Sequence, residues 1–178
     1  MSTSKYDHRE KRLDALLEDA GVNWFGADEL GKLNPAKWRG GDFALPADHE
    51  LDRIVATAQL ADRIRDAWGG PLTVSSGYRP PEYNRAVGGS PRSQHIPFRA
   101  LDIHPADWAN FDLNRYFDVV RSVVAGARQA GWNVGLGLYY ERPNGDDRFA
   151  HIDVGAETGH NRSWTLPKSH PNTALIGS

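Results

Sequence analysis

The sequence predicts an α+β fold, on three observations. Two long segments, 48–68 and 112–130, carry apolar residues at helical spacing. Two short segments, 134–140 and 149–154, read as strands, and the Pro, Asn, Gly and Asp residues of 142–147 between them suit a hairpin connection. Strands and helices do not alternate regularly, which separates this pattern from a wound parallel sheet. At 178 residues the chain fits one domain. It divides into an N-terminal helical and loop segment (1–47), a core (48–155) and an irregular tail (156–178).

Each element has its own signal. Residues 7–20 read as a helix, with Leu13, Leu16 and Leu17 as an apolar stripe among charges and Gly21 as its stop. Trp24 and Phe25 anchor a helix start over 23–30. The Gly-, Pro- and Trp-rich run 34–46 reads as a packed loop. In 48–68 the stripe includes Leu51, Ile54, Ala58, Ala61 and Ile64, and Gly69, Gly70 and Pro71 end it. Residues 72–75 form a short strand, 76–81 a turn and 82–87 one helical turn. Residues 99–103 form another strand. In 112–130 the stripe runs through Tyr116, Phe117, Val120 and Val124 to a stop at Gly131.

Composition excludes several classes. The net charge of -2 argues against a general nucleic-acid binder. There is no cysteine, so disulfides and thiolate metal sites are ruled out, and a metal would have to be held by His, Asp or Glu. The first ten residues are polar, unlike a secretory signal, and no apolar run is long enough to span a membrane. The expectation is a monomer that stays cytoplasmic until another system delivers it, or one whose leader is absent from this sequence.

The stretch 93–105 carries the chemistry. His95 and Asp102 are two good metal ligands in one loop-to-strand passage, and Pro97 excludes a helical pairing between them. In a strand, Asp102 faces away from Leu101 and Ile103. A third ligand has to come from elsewhere. In 149–154, His151 and Asp153 share a strand face, so His95, Asp102 and His151 form a His2Asp set with a position left for water. Each residue also has a plainer role open to it: a strand histidine suits a structural hydrogen bond, and Asp102 suits a cap or an arginine partner.

Several blocks bear on that choice. They are Val74-Ser-Ser-Gly-Tyr-Arg-Pro-Pro-Glu-Tyr-Asn84, Val87-Gly-Gly-Ser90, Ser93-Gln-His95, Ala100-Leu-Asp102 and Phe149-Ala-His-Ile-Asp-Val154. Together they resemble the zinc D-alanyl-D-alanine carboxypeptidase family, which includes peptidoglycan endopeptidases and phage endolysin peptidases. Its metal motif is Ser-x-His-x-x-Gly-x-Ala-x-Asp, with a later strand histidine. The resemblance covers about 51–154, and Trp24 to Glu29 resembles the family's N-terminal segment. It implies a compact α+β fold with a small antiparallel sheet flanked by helices, shared with the hedgehog signalling domain. It also implies one Zn2+ on His95, Asp102 and His151, hydrolysis of peptide bonds in peptidoglycan, and a peptidoglycan peptide as partner. Arg79 matches the position that binds a substrate carboxylate or holds the cleft, and Ser93 matches a serine near the metal. The alternative on the same scaffold is a non-catalytic zinc module that binds cell-wall peptide, or a phage structural module.

Two positions depart from the family pattern. Phe98 stands at the motif glycine, which predicts an altered loop and a narrower or more apolar cleft. Arg148 stands where many members carry the general base, and a guanidinium cannot serve as one near neutral pH. The replacements available are Asp153, which is favoured, and Asp147 or Asp146. His104 reaches the site if its strand continues.

Overall fold

Alternation decides the sheet, because successive strand residues point to opposite faces. The computed structural model describes residues 7–140, 148–155 and 159–166. Five strands, β1 (Leu72–Ser76), β2 (Ala100–Pro105), β3 (Val134–Tyr139), β4 (Phe149–Val154) and β5 (Arg162–Leu166), form one sheet in the order β1-β2-β4-β3-β5. One face is apolar: Ile103, Leu136, Ala150 and Ile152 are all buried there. It packs on two helices, α3 (Val55–Trp68) and α5 (Leu113–Gln129), which also pack on each other. The other face carries Asp102, His151 and Asp153.

The shorter helices close the ends. Leu13 and Leu17 of α1 (Asp7–Asp19) are buried against α2 (Ala27–Leu30) and a 3-10 helix, Asp48–Ile54. Asp14 Oδ1 accepts from Ala27 N, and Asp62 of α3 accepts from Asn23 N and Trp24 N, so carboxylates pin the chain between α1 and α2. The fully buried Thr57 donates to Arg99 O and accepts from Val154 N, tying α3 to the strands that carry the polar face. The run 34–46 packs Ala44 and Trp38 on Leu33 and Tyr83.

Three features differ from expectation. The run 48–68 is not one helix: its first seven residues are 3-10. Eclipsed i and i+3 side chains suit that geometry, and Arg53 pairs with Glu50 at 2.5 Å while Glu50 reaches back to Ala47 N. The supposed tail supplies β5, hydrogen-bonded parallel to β3, so the sheet is mixed rather than purely antiparallel. β2 continues to Pro105, two residues past its predicted end. The connection 141–147 lies outside the described residues.

Asp112 caps α5, its Oδ1 accepting from Arg115 N at 3.0 Å. Asp112→Ala is expected to lower stability by about 1 kcal/mol, read by chemical denaturation.

Candidate metal centre

Register brings the polar residues into rows. Asp102 pairs with His151 across β2 and β4, and His151 with Gly137 across β4 and β3. An irregularity in β1 after Val74 sets Ser76 opposite Asp102. His95 arrives from the loop before β2. Arg79 N donates to His95 O, and Ser93 Oγ accepts from His95 N at 3.4 Å. His95 is 1 % exposed and Asp102 4 %, so neither presents a loose surface group.

Three atoms converge: His95 Nε2 lies 3.1 Å from Asp102 Oδ1 and 3.2 Å from His151 Nδ1, and His151 Nδ1 lies 2.8 Å from Asp102 Oδ1. The opposite ring edges set their chemistry. His95 Nδ1 sits 2.7 Å from Gly77 O, and a carbonyl accepts only, so Nδ1 carries the proton and Nε2 a lone pair. His151 Nε2 faces Asp153 Oδ2 at 3.3 Å, so the same reasoning leaves a lone pair on Nδ1. Two neutral imidazoles and a carboxylate then aim acceptors at one point, which is stable only around a shared cation. Donors about 2.0–2.2 Å from one tetrahedral ion stand about 3.3–3.6 Å apart, a few tenths of an ångström wider than this triangle. His95, Asp102 and His151 are the group among the described residues that could hold a metal ion.

Electrostatics agree. Burial pushes His95 down, only partly offset by Asp102, so its imidazole is neutral. Burial alone would raise Asp102, but the two histidines outweigh it and hold the carboxyl well below the usual range. Burial would lower His151, but hydrogen bonding and charge from Asp102 and Asp153 raise it to about 9. Without a metal, a proton on His151 is therefore the shared cation.

The remaining residues named from sequence fall into place as follows. Arg79 donates from Nη2 to Asp102 Oδ2 at 2.6 Å and from Nε to Ser76 Oγ at 2.6 Å, so it holds the ligand aspartate directly. Asp153, favoured as the base, is 0 % exposed, and its Oδ1 takes a 2.5 Å bond from Arg162. Asp146 and Asp147 lie outside the described residues. Arg148 stacks its guanidinium on Trp108, 4.7 Å from the ring centre. His104 packs on the same tryptophan at 4.5 Å and does not line the cleft.

Phe98 corrects an expectation. It keeps the backbone that a glycine would give, with φ 59, the one positive φ outside glycine among the described residues. Its side chain is fully buried in the core, edge-on to Tyr78 at 5.7 Å. It does not line the cleft, so the cleft is not narrowed by it.

The cleft over the three donors has a volume of about 490 Å³, within the range of small-ligand sites. Tyr139, Phe149 and Trp164 cluster as an aromatic wall, and residues 87–90 and 92–94 also line the cleft. Trp164 and Arg162 were missed from sequence because β5 has no apolar alternation. The available signal was Gly135 and Gly137, two strand glycines on one face, which mark a close approach. A Cβ at Gly137 would stand 2.4 Å from the Trp164 ring.

A family model described as Peptidase M15 matches residues 24–131, more than half of the chain. The match takes in His95 and Asp102 and ends before β3, so His151 and β5 lie beyond it. Comparison with curated proteins returns no match. No helix among the described residues is long and apolar enough to cross a membrane.

Proposed function

The chain belongs to the peptidase M15 family of metallopeptidases, and from that premise we propose that it is a zinc-dependent hydrolase of peptide bonds in peptidoglycan stem peptides or cross-links. The observation that carries the reading is the convergence of three acceptor atoms, His95 Nε2, Asp102 Oδ1 and His151 Nδ1, in the wall of one cleft. A zinc ion held by them would polarise the scissile carbonyl and activate water for attack.

The chain's own residues prepare that chemistry. Gly77 O fixes the His95 tautomer, and Arg79 occupies Asp102 Oδ2 so that Oδ1 is the free donor. With Nε and Nη2 engaged, Arg79 serves chiefly to position Asp102, and its Nη1 is left for a substrate carboxylate. The wall of Tyr139, Phe149 and Trp164 sheds water from one side of the substrate and strengthens the electrostatics inside. Ser93 fixes the loop that carries His95 and lines the cleft. A general base must come within about 2.6–3.2 Å of the proton it takes. Asp153, closed in by Arg162 and His151, is better placed to orient than to carry protons, which leaves the base role to the other carboxylates named from sequence, Asp147 or Asp146.

A second reading is a zinc module that holds cell-wall peptide without turnover. Arg148 favours it, since the sequence position that carries the base in many members holds a guanidinium here, packed on Trp108 and outside the cleft lining. Mass spectrometry of purified peptidoglycan treated with the zinc-loaded protein separates the two, with His95→Ala as control. Free D-alanine identifies a carboxypeptidase, cut cross-links an endopeptidase, and detached stem peptides a lysin cleaving L-Ala to D-Glu. Zinc binding with no product in any assay sinks the hydrolase and leaves the module. In either reading the protein acts as a monomer at the cell wall.

A further inference from the structure

Arg162 and Asp153 are not on neighbouring strands. β3 runs between them, and the register aligns Asp153, Gly135 and Arg162 in one row. Two strand spacings are about 9.5 Å, so Arg162 must lay its side chain across β3. Gly135 makes the crossing possible: a Cβ there would stand 2.1 Å from Asp153 Oδ2 and 2.8 Å from Arg162 Nη2. In the adjoining row Trp164 crosses Gly137 in the same way and rests its ring 5.2 Å from that of His151. β5 itself is pinned by Arg128 of α5, whose Nη2 donates to Arg162 O and Ser163 Oγ, and by Asn161, whose Oδ1 accepts from Val134 N.

Asp153 has its two oxygens committed differently. Oδ1 takes the Arg162 bond, while Oδ2 is buried and has His151 Nε2 as its polar neighbour at 3.3 Å. A fully buried carboxylate stays ionised only when a charge or hydrogen bonds compensate its burial. Arg162 supplies that charge from the far side of β3 and leaves Oδ2 for the histidine.

We propose that Arg162 is a positioning residue of the metal centre: it anchors Asp153 so that the carboxylate holds the His151 ring with Nδ1 turned toward His95 and Asp102. Trp164 covers the ring and restricts its rotation. The third ligand is thus oriented by β5, a strand beyond the region the family model matches. This rests on the metal-centre reading above and adds the group that tunes it.

The test measures the zinc dissociation constant by chelator competition for the wild type, Arg162→Ala, Arg162→Gln and Arg162→Lys. Thermal melting of the zinc-free proteins runs alongside, with visible spectra of the Co2+-substituted ones. Loss of a group that orients a histidine ligand typically weakens metal binding 10–100-fold. That loss is expected for Arg162→Ala, with an altered Co2+ spectrum, and Lys should recover most of it. Should Arg162→Ala fail to fold, Arg162→Gln is read instead, since it keeps a donor without the charge. Lower melting with unchanged zinc affinity and Co2+ spectrum would make the pair merely structural and overturn the proposal. Wild-type protein that binds no zinc would overturn the metal-centre reading first, a separate result.

Discussion

Replacing His95 by alanine is expected to bring zinc content from about one ion per chain to near zero and hydrolysis down by a thousandfold or more. The size follows from what is lost, since metal polarisation is worth several kcal/mol of transition-state stabilisation, and each 1.36 kcal/mol is tenfold in rate. Two donors hold an ion far less tightly than three, and His95 Nε2 is the corner at which the triangle's two longer edges meet. His95→Ala is cleaner than Asp102→Ala. Removing Asp102 also strips Arg79 of its carboxylate partner and leaves that largely buried guanidinium bonded only to Ser76 Oγ. Both variants should lose zinc, and Asp102→Ala should in addition melt lower. Metal analysis, circular dichroism and the peptidoglycan assay check the set. A zinc-free, folded His95→Ala that hydrolyses at the wild-type rate would end the metallopeptidase mechanism.

Strand periodicity made the faces of two of the three donors legible in the sequence, and the resemblance joined them to the loop histidine, His95. His151 and Asp153 are two apart in a strand, and Asp102 alternates with Leu101 and Ile103, so each had to face away from the core. What periodicity does not contain is register. That Asp102 lies opposite His151 depends on backbone pairing between strands 49 residues apart. β5 was illegible for a different reason. Arg162, Ser163, Trp164 and Thr165 show no apolar alternation, because the strand sits at the sheet edge with its charged and aromatic side chains laid over β3. Its partner signal was in β3, where two glycines leave the room those side chains fill. The role of Arg79 was likewise undecidable, since a guanidinium suits a substrate carboxylate and a ligand aspartate equally well until distances are known.

Phe98 is where sequence reasoning drew the wrong consequence from a correct observation, and it yields the second large effect. Restoring the motif glycine with Phe98→Gly is expected to destabilise the protein by about 3 kcal/mol rather than to improve it. Truncating a fully buried phenylalanine costs about 3–5 kcal/mol. Relief of the left-handed backbone returns about 1–2 kcal/mol, and the greater freedom of glycine in the unfolded chain takes back about 0.5–1 kcal/mol. Phe98→Ala loses the same ring and keeps the unfavourable φ of 59. The usual order therefore inverts: at this position glycine should be more stable than alanine, by about 1 kcal/mol. Denaturant titration of the two variants decides it, and alanine proving the more stable would mean that position 98 is not left-handed. Zinc content should stay near one ion per chain in both, because the side chain points into the core beside Tyr78 and not into the cleft. The motif position thus demands a backbone conformation that turns the loop from His95 into β2. Glycine meets that demand without cost, and here a phenylalanine meets it by burying its ring.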